Sequence, residues 1–100
     1  MDVRAFFESL PGKADPADIA GIDNTYCFIV DPAGTWNVTI RDGQVTVGEG
    51  EAPADATFRV SAETFEKLAN GKQNPMMAYM TGKLKVDGDL GAATKLQHLF

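Results

Sequence analysis

The stretch from Tyr26 to Val47, YCFIVDPAGTWNVTIRDGQVTV, decides the fold of this 100-residue chain, because apolar residues alternate with polar ones through three successive segments. Tyr26, Phe28 and Val30 fall on one face of a first strand, Trp36, Val38 and Ile40 on one face of a second, and Val45 and Val47 on one face of a third. Asp42-Gly43 is a two-residue type I′ turn signal, which pairs Arg41 with Gln44, Ile40 with Val45 and Val38 with Val47. Pro32-Ala33-Gly34 reads as a three-residue loop that pairs Asp31 with Thr35 and Val30 with Trp36. Both turns put the large apolar residues on one side. The other side carries Asn37, Thr39, Gln44 and Thr46, so the sheet is expected to be covered on one face and wet on the other.

Downstream, GEGEAPAD at Gly48 to Asp55 has the composition of an exposed connection. A fourth strand is expected from Ala56 to Val60, with Phe58 and Val60 inward, and a fifth from Lys83 to Asp87, with Leu84 and Val86 inward. Between them Ser61 caps a helix containing Phe65 and Leu68 that Gly71 stops. A second helix follows, with Asn74 as cap, Pro75 at its first position and Gly82 at its stop. It is only about two turns long, roughly 10 Å, and must be held by packing. Met76, Met77, Tyr79 and Met80 cover most of its circumference, and unbranched thioether chains adapt to irregular apolar neighbours. Asp89 caps a last helix with Ala93, Leu96 and Phe100 on one face, and Val3, Phe6, Phe7 and Leu10 form an N-terminal helix. The sum is one α+β domain over residues 1–100, five short strands with helices on one face. The tight hairpins argue against a parallel doubly wound sheet.

The first residues lack the basic start and apolar run of a signal peptide, and no segment approaches the twenty or so apolar residues of a membrane span, so a soluble, cytoplasmic protein is expected. A single cysteine, Cys27, excludes an internal disulfide and a thiolate zinc site. The net charge of −5 opposes general attraction to nucleic acid, and the strand aromatics face the covered side rather than a basic surface. That charge is uneven: residues 1–66 balance to −8 and residues 67–100 to +3, with Lys83, Lys85 and Lys95 as candidates for transient contact with an anionic membrane.

Catalysis finds little support in the residues. His98, in the last turn of the last helix, reads as a surface residue favoured there by the helix dipole. Cys27 follows the outward register of its strand, beside no cationic cluster that would lower its pKa, and a Cys-His pair would have to meet across the sheet. No metal-ligand spacing occurs, and neither GEG at 48–50 nor GDLG at 88–91 forms a phosphate-binding fingerprint, so no cofactor is expected.

The run ADATFRVSAETFEKLANGKQNPMMAYMTGKLKVDGDLGAATKLQHLF, Ala54 to Phe100, closely resembles the second half of the sterol carrier protein 2 family. Its hallmarks stand here as Ala54-Asp55 before a Thr-x-Phe strand, the Gly71-Lys72 and Asn74-Pro75 pairs, the Gly82 to Val86 strand entry, Gly88-Asp89 and the Lys95-Leu96 ending. The hairpins agree in order and spacing, so the likeness covers nearly the whole chain and is weakest before Tyr26. The resemblance implies strand order 3-2-1-4-5, helices enclosing an apolar tunnel, and binding of sterols, fatty acids or fatty acyl-CoA without catalysis. Longer eukaryotic members end in a peroxisomal tripeptide, whereas this chain ends His98-Leu99-Phe100.

The expected ligand lies between the covered sheet face and the methionine helix, lined by Phe28, Trp36, Val38, Phe58, Met77, Met80, Leu84, Leu96 and Phe100. Every inward residue looks alike in sequence, so part of this set fills a closed core instead. The function expected is lipid binding and transfer. The alternative is an accessory module that presents a hydrophobic intermediate to a partner enzyme, and an acyl-transfer enzyme using Cys27 is a distant third.

Overall fold

The computed structural model describes residues 2–13 and 15–95. Five strands, β1 (Asn24–Asp31), β2 (Gly34–Arg41), β3 (Gln44–Glu49), β4 (Ala56–Ser61) and β5 (Leu84–Gly88), form one sheet in the order β3-β2-β1-β4-β5. All neighbours are antiparallel except β1 and β4, which run parallel because the chain crosses over after the second hairpin. Five helices, α1 (Val3–Lys13), α2 (Pro16–Ile19), α3 (Ala62–Ala69), α4 (Pro75–Met80) and α5 (Leu90–Lys95), complete the described fold.

The Asp42-Gly43 turn has positive φ at both residues and sets the register that the sequence implies, with Arg41 opposite Gln44, Ile40 opposite Val45 and Val38 opposite Val47. The first hairpin differs from expectation by two residues. Val30 pairs with Gly34, and Phe28 rather than Val30 faces Trp36. Packing explains the slip: the Trp36 ring lies over Gly34, where an added Cβ would sit 3.2 Å from its Cη2 atom. A slip of two preserves every face, so Tyr26, Phe28, Val30, Trp36, Val38 and Ile40 are all buried on one side.

α1 covers β1 to β3. Its Val3, Phe7 and Leu10 are buried, and Phe7 stacks on Trp36 at 4.8 Å between ring centroids while touching Phe28 at 5.2 Å and Phe65 at 5.4 Å. α2, not anticipated from sequence, is a short turn in which Asp15 accepts from the Ala17 N–H at 2.9 Å, and it delivers Ile19 and Ile22 into the same core. α3 and α4 carry the expected caps. Ser61 Oγ accepts from the Thr64 N–H at 3.1 Å, and Asn74 Oδ1 accepts from the Met76 N–H at 2.8 Å. α4 ends in a Schellman pair, Gly82 N–H to Tyr79 O and Lys83 N–H to Ala78 O.

The node that ties the far half together is Asp55. Its carboxylate accepts from the Thr25 N–H at 2.8 Å, its N–H donates to Thr25 O, and its carbonyl accepts from the Asp89 N–H at 2.8 Å. Asp89 in turn caps α5 by accepting from the Gly91 and Ala92 N–H groups. Gly88 lets the two backbones meet: its φ is +99°, and an added Cβ would lie 2.4 Å from Asp55 O. The Ala54-Asp55 and Gly88-Asp89 pairs thus act as one connection. Tyr26 adds a second tie, its buried hydroxyl donating to Ala92 O at 2.7 Å.

Two stability measurements check these links. Gly88→Ala is expected to cost roughly 2–3 kcal/mol or more, since strain at positive φ adds to a backbone collision. Gly82→Ala, also at positive φ but facing open space, is expected to cost only about 1–2 kcal/mol. Equal losses in urea unfolding would contradict the close approach at Asp55. For Tyr26, burial raises the phenol's pKa above its ordinary 10.0, with smaller contributions from Asn24, which opposes the rise, and from Asp55 and Asp89. A raised native pKa gives stability that is present below about 10 and is lost as pH rises through the native value. Tyr26→Phe is therefore expected to be less stable at neutral pH by about 1–2 kcal/mol, for the Ala92 carbonyl left without its donor, and to lose less than the native chain on alkaline titration.

Candidate functional site

Behind α1 the covered face of the sheet is closed; under α3, α4 and α5 it is not. Phe28 of β1, Phe58 and Val60 of β4, and Leu84 and Val86 of β5 form the floor of an apolar cavity of about 240 Å³. Phe65 and Leu68 of α3, Pro75, Met76 and Tyr79 of α4, and Leu90, Ala93 and Thr94 of α5 form its walls. Met76, Tyr79 and Leu90 remain 52%, 43% and 54% exposed, which makes the gap between α4 and α5 its mouth. Among the described residues no charged side chain lines it, and the Thr94 hydroxyl already donates to Leu90 O at 2.9 Å.

The floor is stiff and the mouth is soft. Phe28 stacks on Phe58 at 5.0 Å, Phe65 meets Phe6 edge-on at 5.2 Å, and these rings continue into the Phe7–Trp36 stack. The mouth, by contrast, is made of an unbranched thioether and a tyrosine on α4, a helix of six residues, and a leucine at the start of α5. Left dry and unfilled, a volume of this size would cost about 6 kcal/mol at the mutational rate per unit volume, comparable with the stability of a small domain.

Of the expected lining residues, Phe28, Phe58 and Leu84 meet at the cavity. Trp36 and Val38 do not: they are buried beneath α1, where Phe7 covers Trp36. Met77 and Met80 also lie elsewhere, 53% and 72% exposed on the solvent side of α4. The small Ala78, fully buried, is where α4 touches the fold, so Met76 and Tyr79 turn to the cavity and Met77 and Met80 away from it. Leu96 and Phe100 lie outside the described residues, as does His98. Val60 and Val86 were implicit in the strand alternation, each two residues from a named partner, whereas the rotation of α4 had only Ala78 as its signal.

Cys27 follows its outward register yet is buried, under the connection that carries Glu51, Ala52 and Pro53, on the face of the sheet opposite the cavity. Burial pushes its thiol up, against smaller opposing effects from the Ala52 backbone and Arg59, which leaves it protonated and weakly nucleophilic at neutral pH. Arg4 forms an ion pair with Glu49 at the surface. Among the described residues no group of three metal-ligating side chains occurs, and no helix is long and apolar enough to cross a membrane.

The profile of the SCP-2 sterol transfer family matches residues 4–100. The chain belongs to that family. It is 33% identical over 101 residues to hydroxysteroid dehydrogenase-like protein 2 of Danio rerio, a match that covers 97% of this chain and 24% of that one. The chain therefore spans about a quarter of that longer relative. Among solved structures, the sterol carrier protein domain 2 of Helicoverpa armigera is 29% identical with a TM-score of 0.76, covering 97% of this chain and 81% of that one. The sec-alkylsulfatase Pisa1 from Pseudomonas sp. shares the fold, with a TM-score of 0.86 at 24% identity, covering all of this chain and 16% of the sulfatase. SCP-2 domains are generally non-catalytic lipid-binding folds, and the dehydrogenase-like relative carries a similar segment within a longer chain. Membership thus supports lipid binding or transfer in general.

Tryptophan fluorescence separates the two halves of this SCP-2 sheet. Trp36 is expected to keep its emission maximum when palmitate is added, because Phe7 stands between it and solvent and it does not line the cavity. A tryptophan placed at the mouth by Tyr79→Trp, in a Trp36→Phe background, is expected to shift to the blue. A shift of Trp36 alone would place the ligand beneath α1 instead.

Proposed function

We propose that the cavity holds the aliphatic chain of a fatty acid or fatty acyl thioester, hydrocarbon inward and polar end at the mouth between α4 and α5. The observation that carries this is the lining itself: apolar except for the Thr94 hydroxyl, with no charged side chain among the described residues to pair a buried carboxylate. A flexible chain suits the volume better than a rigid sterol. About 240 Å³ lies below the usual range for pockets that enclose a drug-sized molecule, roughly 300–1,000 Å³, and a chain can leave part of its length outside.

Lipid binding of this kind needs no reacting group, in keeping with a protonated Cys27 on the far face of the sheet. Presentation of an acyl chain to a partner enzyme is a second role. It is supported by the longer dehydrogenase-like and sulfatase relatives that carry a similar segment.

Chain length tests the proposal. At about 0.8 kcal/mol per buried methylene, the roughly 6 kcal/mol associated with this volume corresponds to about seven methylenes. Calorimetric affinities of saturated fatty acids are expected to rise about fourfold per methylene up to roughly that length and then level off. No dependence on chain length would exclude acyl-chain binding in the cavity.

A further inference from the structure

We propose that the outward face of α4, presented by Met77 and Met80 beside the cavity mouth, is a docking surface for an anionic phospholipid bilayer. The proposal rests on the acyl-chain function above, because a carrier must take its chain from a membrane. The described large apolar residues that stand exposed are Met76, Met77, Tyr79, Met80 and Leu90, all on α4 or at the start of α5. They are concentrated on α4 and the start of α5 rather than scattered, which marks an interaction site. Met76, Tyr79 and Leu90 belong to the mouth, but Met77 and Met80 contribute nothing to the cavity and face solvent.

Charge selects the occupant. Residues 67–86 hold Lys67, Lys72, Lys83 and Lys85 and no acidic residue, in a chain whose net charge is −5. Lys72 lies three residues before α4 and Lys83 three residues after it, so a cation flanks each end of the exposed helix. Lys95 lies on α5, on the other side of the mouth. Lys85 is excluded from the surface: it pairs across from Arg59 on the outer face of the sheet, away from α4. Lys67 is paired with Glu63 within α3 and adds no free charge, while on the other side Asp87 is engaged with Arg59 and Asp89 in the cap of α5. An apolar, methionine-rich ridge flanked by lysines matches the interface of an anionic bilayer, where the side chains enter the acyl boundary and the ammonium groups meet phosphate. A second copy of the chain would set the same lysines against each other.

The test is co-sedimentation with phosphatidylcholine vesicles with and without phosphatidylglycerol, using the full chain. Binding is expected only to the anionic vesicles and is expected to weaken with salt. Met77→Ser with Met80→Ser is expected to reduce partitioning about tenfold or more. Lys72→Gln and Lys83→Gln are each expected to reduce it about fivefold. The methionine variant is expected to keep its thermal stability and its affinity for fatty acid in vesicle-free solution. Vesicle binding that none of these substitutions changes overturns the docking surface. So does a dimer, seen by light scattering, that the methionine pair dissolves while vesicles go unbound. If fatty acid fails to bind in solution while the variants still lose the vesicles, the docking surface stands and the acyl-chain function fails.

Discussion

Stacking of Phe7 on Trp36, 4.8 Å between ring centroids, determines which part of the sheet a ligand can reach. Phe7 is wholly buried and also touches Phe28 and Phe65, so one side chain from α1 seals the β1–β3 half of the covered face and buttresses the other half. The cavity is what remains. Its floor inherits rigidity from the ring cluster, since stacked and edge-on aromatic pairs resist the shear that would close the space.

A packed half alone would not keep the other half open. α3 and α4 are eight and six residues long, too short to be stable without anchorage. Each is fixed at both ends by a side-chain cap before and a Schellman pair after, and the start of α5 is held by Asp89, the Asp55 carbonyl and the Tyr26 hydroxyl. Hydrogen bonding at helix termini therefore does the work that side-chain packing does under α1, and it leaves the middle of each short helix free to line a space. That division, with aromatic packing on one side and capped helices on the other, suits a protein that must enclose a flexible apolar chain and let it go.

Much of this was legible in the sequence, and the failures have physical causes. Strand faces follow from the period-two alternation, which survives even the two-residue slip of the first hairpin because a slip of two keeps Phe28 and Trp36 inward. Caps at Ser61, Asn74 and Asp89 are local, so residue type alone reveals them. Lining residues are a different matter, because cavity and core demand the same side chains. Trp36 and Val38 are as apolar as Phe58, and only the path of α1 tells them apart. On α4 nearly every residue is apolar, so no hydrophobic stripe marks its inner side. Burial of the small Ala78 turns Met76 and Tyr79 inward and leaves Met77 and Met80 in solvent. Burial of Cys27 depends on where the connection through Ala52 lies, which an exposed-loop composition does not specify.

The most direct test of the central claim, that an acyl chain occupies the space between β4–β5 and α3–α5, is a set of intermolecular nuclear Overhauser effects between palmitate methylenes and protein methyl groups. Contacts are expected to Leu68, Met76, Leu84 and Val86, and none to Val38 or Ile40 beneath α1. Contacts to Val38 and Ile40 in place of Leu84 and Val86 would contradict the account.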